Sequence, residues 1–425
     1  MKAGTVFAFL CCWFSSLFCA VDIYVFNVGQ GNCIWVSMDV VSGRNRDKKK
    51  ILIVDCGSGH GEGWMNNGNF IMNLQNMGLC QNVCGYALWV THLHADHFSL
   101  LWQNIPGSRR SILDEVGYVF VGVGGGWQEE GLDYWPTSSL PDYAKKAKLA
   151  IEKESADVRE KLEEYQSKKG NMVRSSLGRI CAYIKRKKDG NACFPIKVWD
   201  HDPREIELLQ RALNEFTAGT DCHLRPLLPE LRPEVLASEN KHRYNEGKEP
   251  TNPNDQSLVL ALEYAGKRVI FPGDAPGDLF SSLNREDRAC VSGAGVLIAP
   301  HHGSMNNKEN LWETYDVRSG SRPRYCTIVS SIPVAKDLIP NKEFMSGRPC
   351  YAPFVTAEPH PVLVYDPVDN KNKHWLTRQT KFSMSKYVHY YHYHIGDSLR
   401  LRANERVINI IPNPEAPEEE SSLED

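Results

Sequence analysis

The chain of 425 residues has no uncharged apolar run beyond Val21 that approaches the roughly 20 residues needed to span a bilayer, which excludes a multi-span transporter or pore. Charge of one sign is also missing. Lys and Arg number 49 against 52 Asp and Glu, a net of −3, so bulk charge neither selects nor excludes a polyanionic partner. The glycines form no nucleotide loop: Gly122 to Gly126 (GVGGG) lacks the GxGxxG spacing and a following helix start, and reads as a flexible loop. The cysteines form no zinc knuckle, because Cys80 and Cys84 enclose three residues and the others are scattered. What is present is 42% hydrophobic and 24% charged residues, the make-up of a globular protein with a full-sized core. Global disorder and a small disulfide-stapled scaffold are both excluded.

Residues 3–21 carry no charge, follow Lys2 and contain the apolar stretch from Phe7 to Phe14, the layout of a secretory signal peptide over residues 1–20. Cleavage after Ala20 would leave Phe18 where a small residue is preferred, so a single N-terminal membrane anchor is the alternative. A secreted or periplasm-like location is expected. Without Cys11, Cys12 and Cys19, ten of the 13 cysteines remain, an even number that suits disulfides in an oxidising compartment, with buried thiols as the other reading.

Residues 22–28 (DIYVFNV), 33–37 (CIWVS) and 50–55 (KILIVD) are short β-rich runs. A helix-like stretch at 70–77 then leads to the apolar run 87–91 (ALWVT), which enters His92 directly. This order of strand, helix and strand predicts an α/β layered domain. Strand character returns at 257–264, 268–271, 295–299 and 325–330, after a block of charge, proline and helical pattern. Residues 21–353 therefore read as one α/β domain, with about 128–250 as an insertion or lid. Residues 354–411 read as an appended β-rich segment, and the Glu-rich residues 412–425 as a disordered acidic tail.

His92, His94, Asp96 and His97 place four metal-ligand side chains within six residues at the end of a predicted strand. Neutral imidazoles with a carboxylate suit a borderline divalent ion such as zinc. In a turn leaving a strand, His92 and His94 can address one ion while Asp96 and His97 fold back toward a second. Asp274 follows the run 268–271 and a Pro-Gly bend, so it too leaves a strand end, where a carboxylate can bridge two cations. His301 and His302 end the next strand. Asp55, closing KILIVD, is expected to accept a hydrogen bond from a ligand histidine and fix its tautomer.

His92-Leu93-His94-Ala95-Asp96-His97 is the HxHxDH signature of the metallo-β-lactamase superfamily. With residues 22–31 (DIYVFNVGQG), 51–57 (ILIVDCG), 254–264 (NDQSLVLALEY), 272–275 (PGDA) and 301–304 (HHGS), the chain resembles the hydrolase domain of ComEC-type competence proteins over about residues 22–335. That resemblance implies an αββα sandwich with a helical charged insertion and a small C-terminal β-rich extension. It also implies a binuclear site of two divalent ions, zinc or manganese, and a nucleic acid as substrate. His92, His94, Asp96, His97, Asp274 and His301 are the expected metal ligands, with Asp96 orienting the nucleophile and His302, or whichever of His301 and His302 is not a ligand, donating a proton to the leaving oxygen. Asn27 replaces the family's usual Asp, and the family's closing Gly-His-Pro is absent, with Ile339-Pro340-Asn341-Lys342 in its place. His301, His302 and His360 are candidates for the lost ligand. The superfamily's middle histidine has no clear counterpart among His201, His223 and His242. The function expected is a phosphodiesterase or nuclease. Hydrolysis of a small ester, lactone or amide, and a metal-binding interaction protein with a decayed site, are the alternatives.

Residues 387–394 (YVHYYHYH) read as a packed aromatic hairpin rather than a ligand set. Residues 174–188 carry Arg174, Arg179, Lys185, Arg186, Lys187 and Lys188 with no acid, as a solvated helix face or a phosphate-tracking patch. If the patch tracks phosphates, exchanging Lys185, Arg186, Lys187 and Lys188 for Ala should flatten the salt dependence of nucleic-acid binding by about 0.7–0.9 per contact removed. Filter binding across a salt series measures this, and an unchanged slope returns the patch to a solvated face.

Overall fold

A computed structural model describes residues 20–26, 28, 31–58, 74, 77–101, 112–123, 183–184, 192–199, 201–230, 253–292, 294–303, 326–328, 350–351, 390–396, 399–403 and 406–408. The fold is mixed α/β with two large sheets and few helices. Strands β1 (Val21–Phe26), β2 (Cys33–Asp39) and β3 (Lys49–Cys56) run antiparallel in turn. From β3 the pairing turns parallel through β4 (Val83–Val90), β5 (Val116–Val123) and β6 (Cys193–Lys197). The second sheet repeats the plan. Strands β7 (His223–Leu227), β8 (Val259–Tyr264) and β9 (Lys267–Phe271) are antiparallel, and β9, β10 (Val296–Ile298), β11 (Cys326–Ile328) and β12 (Cys350–Tyr351) are parallel.

Side-chain alternation assigns the two faces of the first sheet. Ile34 and Val36, Leu52 and Val54, and Ala87 and Trp89 enter a core shared with Leu260, Leu262, Val269 and Phe271 of the second sheet. Their neighbours Cys33 and Trp35, Ile51 and Ile53, and Leu88 and Val90 enter a separate core on the opposite face. There they meet Phe98 of helix α1 (Ala95–Phe98), Ile112 and Leu113 of helix α2 (Ile112–Glu115), and Tyr183 and Ile184. A strand buried on both faces has no polar side to show, which is why KILIVD and ALWV read as continuous apolar runs.

Residues 193–227 fall inside the stretch expected to be an insertion, yet they extend both sheets. β6 ends the nine-stranded sheet and β7 ends the six-stranded one. Between them helix α3 (Pro203–Thr217) lays Leu209, Ala212, Leu213 and Phe216 on the shared core. It starts where Asp202 accepts a hydrogen bond from the Arg204 amide at 2.8 Å and Pro203 occupies the first turn. Pro195 in β6 and Pro226 in β7 weaken the strand signal in sequence, and both sit on edge strands, the position that tolerates a missing donor. The C-terminal segment likewise joins the main sheet. β13 (Tyr390–Ile395) pairs with β1, and β14 (Leu399–Ala403) and β15 (Arg406–Ile408) follow it.

Residues 1–19, 124–182, 231–252 and 409–425 lie outside the described residues, and with them the expected signal peptide, the acidic tail and most of the charged insertion. Among the described residues no helix is long and apolar enough to cross a membrane. Cys33, Cys56, Cys80, Cys84, Cys193, Cys222 and Cys290 are free thiols, so the pairing expected of an oxidising compartment is not found among them.

Two indoles carry hydrogen bonds into the segment that precedes β8. Trp89 Nε1 donates to the Leu258 carbonyl at 2.8 Å, and Trp199 Nε1 donates to the Asp255 carbonyl at 2.6 Å. Trp89→Phe keeps most of the buried ring but strands the Leu258 oxygen, so it should cost about 1–3 kcal/mol. Urea denaturation measures this; a change below about 0.5 kcal/mol would show that the bond does not hold the two sheets together.

A candidate metal centre at the strand ends

The expected site residues converge at the carboxyl ends of β3, β4, β9 and β10. Asp55, the penultimate residue of β3, adopts φ 54, in the left-handed region. The register skips there, with Cys33 opposite Cys56 and Ile34 opposite Val54, so Asp55 is the extra residue of a β-bulge. A bulge re-aims the side chain it carries. The Asp55 carboxylate accepts from Asn32 Nδ2 at 2.9 Å, the Thr91 amide at 2.7 Å, Thr91 Oγ1 at 2.9 Å and His97 Nδ1 at 2.8 Å. Its expected contact with a histidine is therefore with His97.

Thr91 sets the tautomers. Its one hydroxyl proton goes to Asp55, so toward His92 Nδ1 and His97 Nδ1, each at 3.2 Å, the oxygen accepts. Both rings then carry a proton on Nδ1 and turn Nε2 inward. Ser257 Oγ lies 3.3 Å from His92 Nδ1 and accepts from the Asp274 amide at 3.1 Å, tying the two sheets at the site.

Helix α1 carries Asp96 and His97 and is held on the exit of β3. The Asn32 amide donates to the Asp96 carbonyl at 2.9 Å and the Leu100 amide to the Cys56 carbonyl at 2.9 Å. A side chain at Gly57 would collide with the backbone of residues 96–98, so this approach requires glycine. Gly273, at φ +58, makes the bend that delivers Asp274 and packs against Thr91. His301 and His302 are left-handed at φ 48 and 52 in a 3-10 turn over Pro300–Gly303. Non-glycine residues held there cost on the order of 1 kcal/mol or more each, a strain typical of functional sites.

Two groups of ligand atoms result, His92 with His94 and Asp274, and Asp96 with His97 and His302, each drawn within 4.8 Å. Asp274 faces both: Oδ2 lies 3.8 Å from His92 Nε2, and Oδ1 lies 3.2 Å from His97 Nε2 and 3.6 Å from His302 Nε2. His302 Nε2 is 3.2 Å from Asp96 Oδ2. His301 stands at the rim, its side chain 20% exposed, 3.7 Å from Asp274 Oδ2 and 3.3 Å from Asn254 Nδ2. These His/Asp groups can hold a metal ion. His97 Nε2 and Asp274 Oδ1 are buried and face each other at 3.2 Å without an aligned hydrogen bond, which fits atoms that await a cation. His201 bonds the Val198 carbonyl and His223 opens β7, and neither belongs to a group; His242 and His360 lie outside the described residues. Thr91 and Ser257 were not anticipated from the sequence, although both lie in the blocks THLHADH and NDQS.

No family model matches the chain, and no curated protein does. Among solved structures it is similar to a protein of unknown function from Enterococcus faecalis V583, at 8% identity and a TM-score of 0.27. That likeness covers 66% of this chain and 49% of the other, so the chain spans about half the length of the structure it resembles.

Burial drives the pKa of His92, His94 and His301 below the usual histidine value. Burial opposes charge on His97 too, but the carboxylates of Asp274 and Asp55 outweigh it and raise its pKa well above that value. His302 is raised in the same way by Asp274 and Asp96. Burial alone would raise Asp274 and Asp96, yet the neighbouring imidazoles hold both below the carboxylate range. Protons on His97 and His302 thus stand where cations would. In protein freed of metal by a chelator, the raised pair stabilises fully below about pH 6.5 and that stability is lost as pH rises through their folded values. The lowered histidines stabilise fully above about pH 6.5, and that part is lost as pH falls through theirs. Stability in urea is therefore expected to peak near pH ~6.5. A steady rise from about pH 5 to 9 would contradict it.

Proposed function

We propose that the protein is a metal-dependent phosphodiesterase or nuclease built as a metallo-β-lactamase-type αββα sandwich. The observation that carries this reading is the pair of three-ligand groups with Asp274 between them, a member of one and one carboxylate oxygen facing the other. His92, His94 and Asp274 would hold one divalent ion of the zinc class, and Asp96, His97, His302 and Asp274 a second. Bound there, such ions lower the pKa of water and neutralise charge on phosphate oxygens.

The remaining chemistry belongs to the chain. Asp96, whose side chain is 19% exposed, stays ionised because its pairing with His302 outweighs burial, so it accepts a hydrogen bond and orients the attacking water. His302, with a side chain 4% exposed between Asp96 and Asp274, fits a ligand better than a proton donor. His301 at the rim is the better donor. The sequence left either of the two open as the donor, and this choice takes His301. Water attacks phosphorus and gives up a proton to solvent, the bond to the leaving oxygen breaks, and that oxygen takes a proton relayed from solvent through His301, whose lowered pKa keeps no proton stored on the ring. A nucleic acid is the favoured substrate through the resemblance and the basic stretch at 174–188.

The test is hydrolysis of nucleic acid, bis-p-nitrophenyl phosphate, and ester and lactam probes by zinc- or manganese-supplemented protein. Asp96→Ala should lose about 10²-fold or more on both phosphodiesters. His301→Ala should lose about 10²-fold on nucleic acid and far less on the nitrophenyl ester, whose leaving group needs no proton. Activity confined to esters or lactams would move the reading to a small-molecule hydrolase. Full activity after chelation would refute it.

A further inference from the structure

A second His/Asp cluster lies at the opposite end of the nine-stranded sheet. Asp22 pairs in register with His394 of β13 on one side and with Ser37 of β2 on the other, and Ser37 pairs with Ile51. It is therefore level with the start of β3, whereas the centre containing Asp55 lies beyond the end of that strand. His392 and His394 are two residues apart and share a face of β13. Both rings reach the same atom: Asp22 Oδ1 is 2.7 Å from His392 Nε2 and 2.8 Å from His394 Nδ1.

We infer that Asp22, His392 and His394 form a separate site for a divalent cation of the zinc class, which clips the first strand of the fold to the C-terminal hairpin. Without an ion the two imidazoles bond that one oxygen, as two donors on a carboxylate oxygen commonly do. Convergence on a common point is what ligands around one ion require, and these three ligand atoms lie within 4.8 Å of one another. Tetrahedral zinc with bonds of about 2.0–2.1 Å separates its ligands by about 3.3 Å, so the two contacts to Asp22 need to open by only about 0.5 Å. Two imidazoles and one carboxylate suit zinc, cobalt or nickel, whereas calcium and magnesium demand more oxygens.

The surroundings fit a site that is held yet reachable. The His392 ring stacks on Tyr24, with centroids 4.4 Å apart and planes inclined by 13°, so its orientation is set. The His394 side chain is 35% exposed, which leaves an open side for an ion and a water ligand. β14 sets Arg402 and Arg400 at the register positions opposite His392 and His394. The clip would join residues 370 positions apart, closing most of the chain into a loop.

The experiment titrates zinc chloride alone into the full chain by calorimetry, with cobalt(II) absorption as a second readout. His97→Ala with Asp274→Asn takes a ligand from each group of the buried centre, and this double variant should still bind about one equivalent of zinc with a tetrahedral cobalt spectrum. Adding His394→Gln, at a partly exposed position, should weaken that binding about tenfold or more and abolish the cobalt bands. Zinc should raise the melting temperature of the double variant and leave the triple variant unmoved. Equal zinc affinity with and without His394→Gln, or no zinc bound by a folded double variant, overturns the inference. Should the double variant fail to fold, zinc per chain is compared between the wild type and His394→Gln. A loss of about one equivalent supports the clip and an unchanged total overturns it.

Discussion

The arrangement at the strand ends depends on one charge kept from water. A buried carboxylate is tolerated only where hydrogen bonds replace its hydration, and Asp55, fully buried, accepts four. Each bond has a structural result. Asn32 ties the start of β2 to the end of β3, the Thr91 amide fixes where β4 ends, and the Thr91 hydroxyl is committed as a donor and left to accept from His92 and His97. The ring nitrogens that face inward are chosen by a residue that would touch no metal. Removal of Asp55 would therefore disturb geometry and tautomer together.

The parts of this centre that were legible in the sequence are local in the chain. His92, His94, Asp96 and His97 stand within six residues behind an apolar run, and Asp55, Asp274 and His301 each follow a strand that composition alone reveals. The division of work between His301 and His302 was not legible. Two adjacent residues in the left-handed region send their side chains in directions that no spacing rule encodes. Thr91 and Ser257 carry common hydroxyls whose roles exist only once the two sheets meet. The edge strands β6 and β7 are hidden by Pro195 and Pro226 amid charged neighbours, and β5 lies between motifs of stronger chemistry. The pairing of β13 with β1 spans nearly the whole chain, beyond the reach of any local pattern.

Both sheets pass from antiparallel to parallel pairing along their length, and the metal-ligand side chains follow strands on the parallel side of each. Parallel neighbours end together, so their loops leave the same edge and can pool side chains, as ligand sites of open α/β sheets do. The antiparallel portions, β1 with β2 and β7 with β8, supply core and send to that edge the supporting residues Asn32 and Ser257, which belong to neither ligand group. This separation lets the loop residues accept bulges, left-handed backbone and buried charge while the cores beneath remain regular.

Each ligand group draws two side chains from the first sheet's loops and one from the second's: His92 and His94 wait for Asp274, and Asp96 and His97 wait for His302. Among the described residues, neither half of the chain, emerging alone during synthesis, holds a three-ligand site. Two imidazoles on a flexible turn chelate weakly, so firm capture of an ion must follow docking of the sheets, a step dominated by contacts far apart in sequence and correspondingly slow. Metal uptake would then act as a final check on assembly, sealing molecules whose halves have met in register and passing over those that have not.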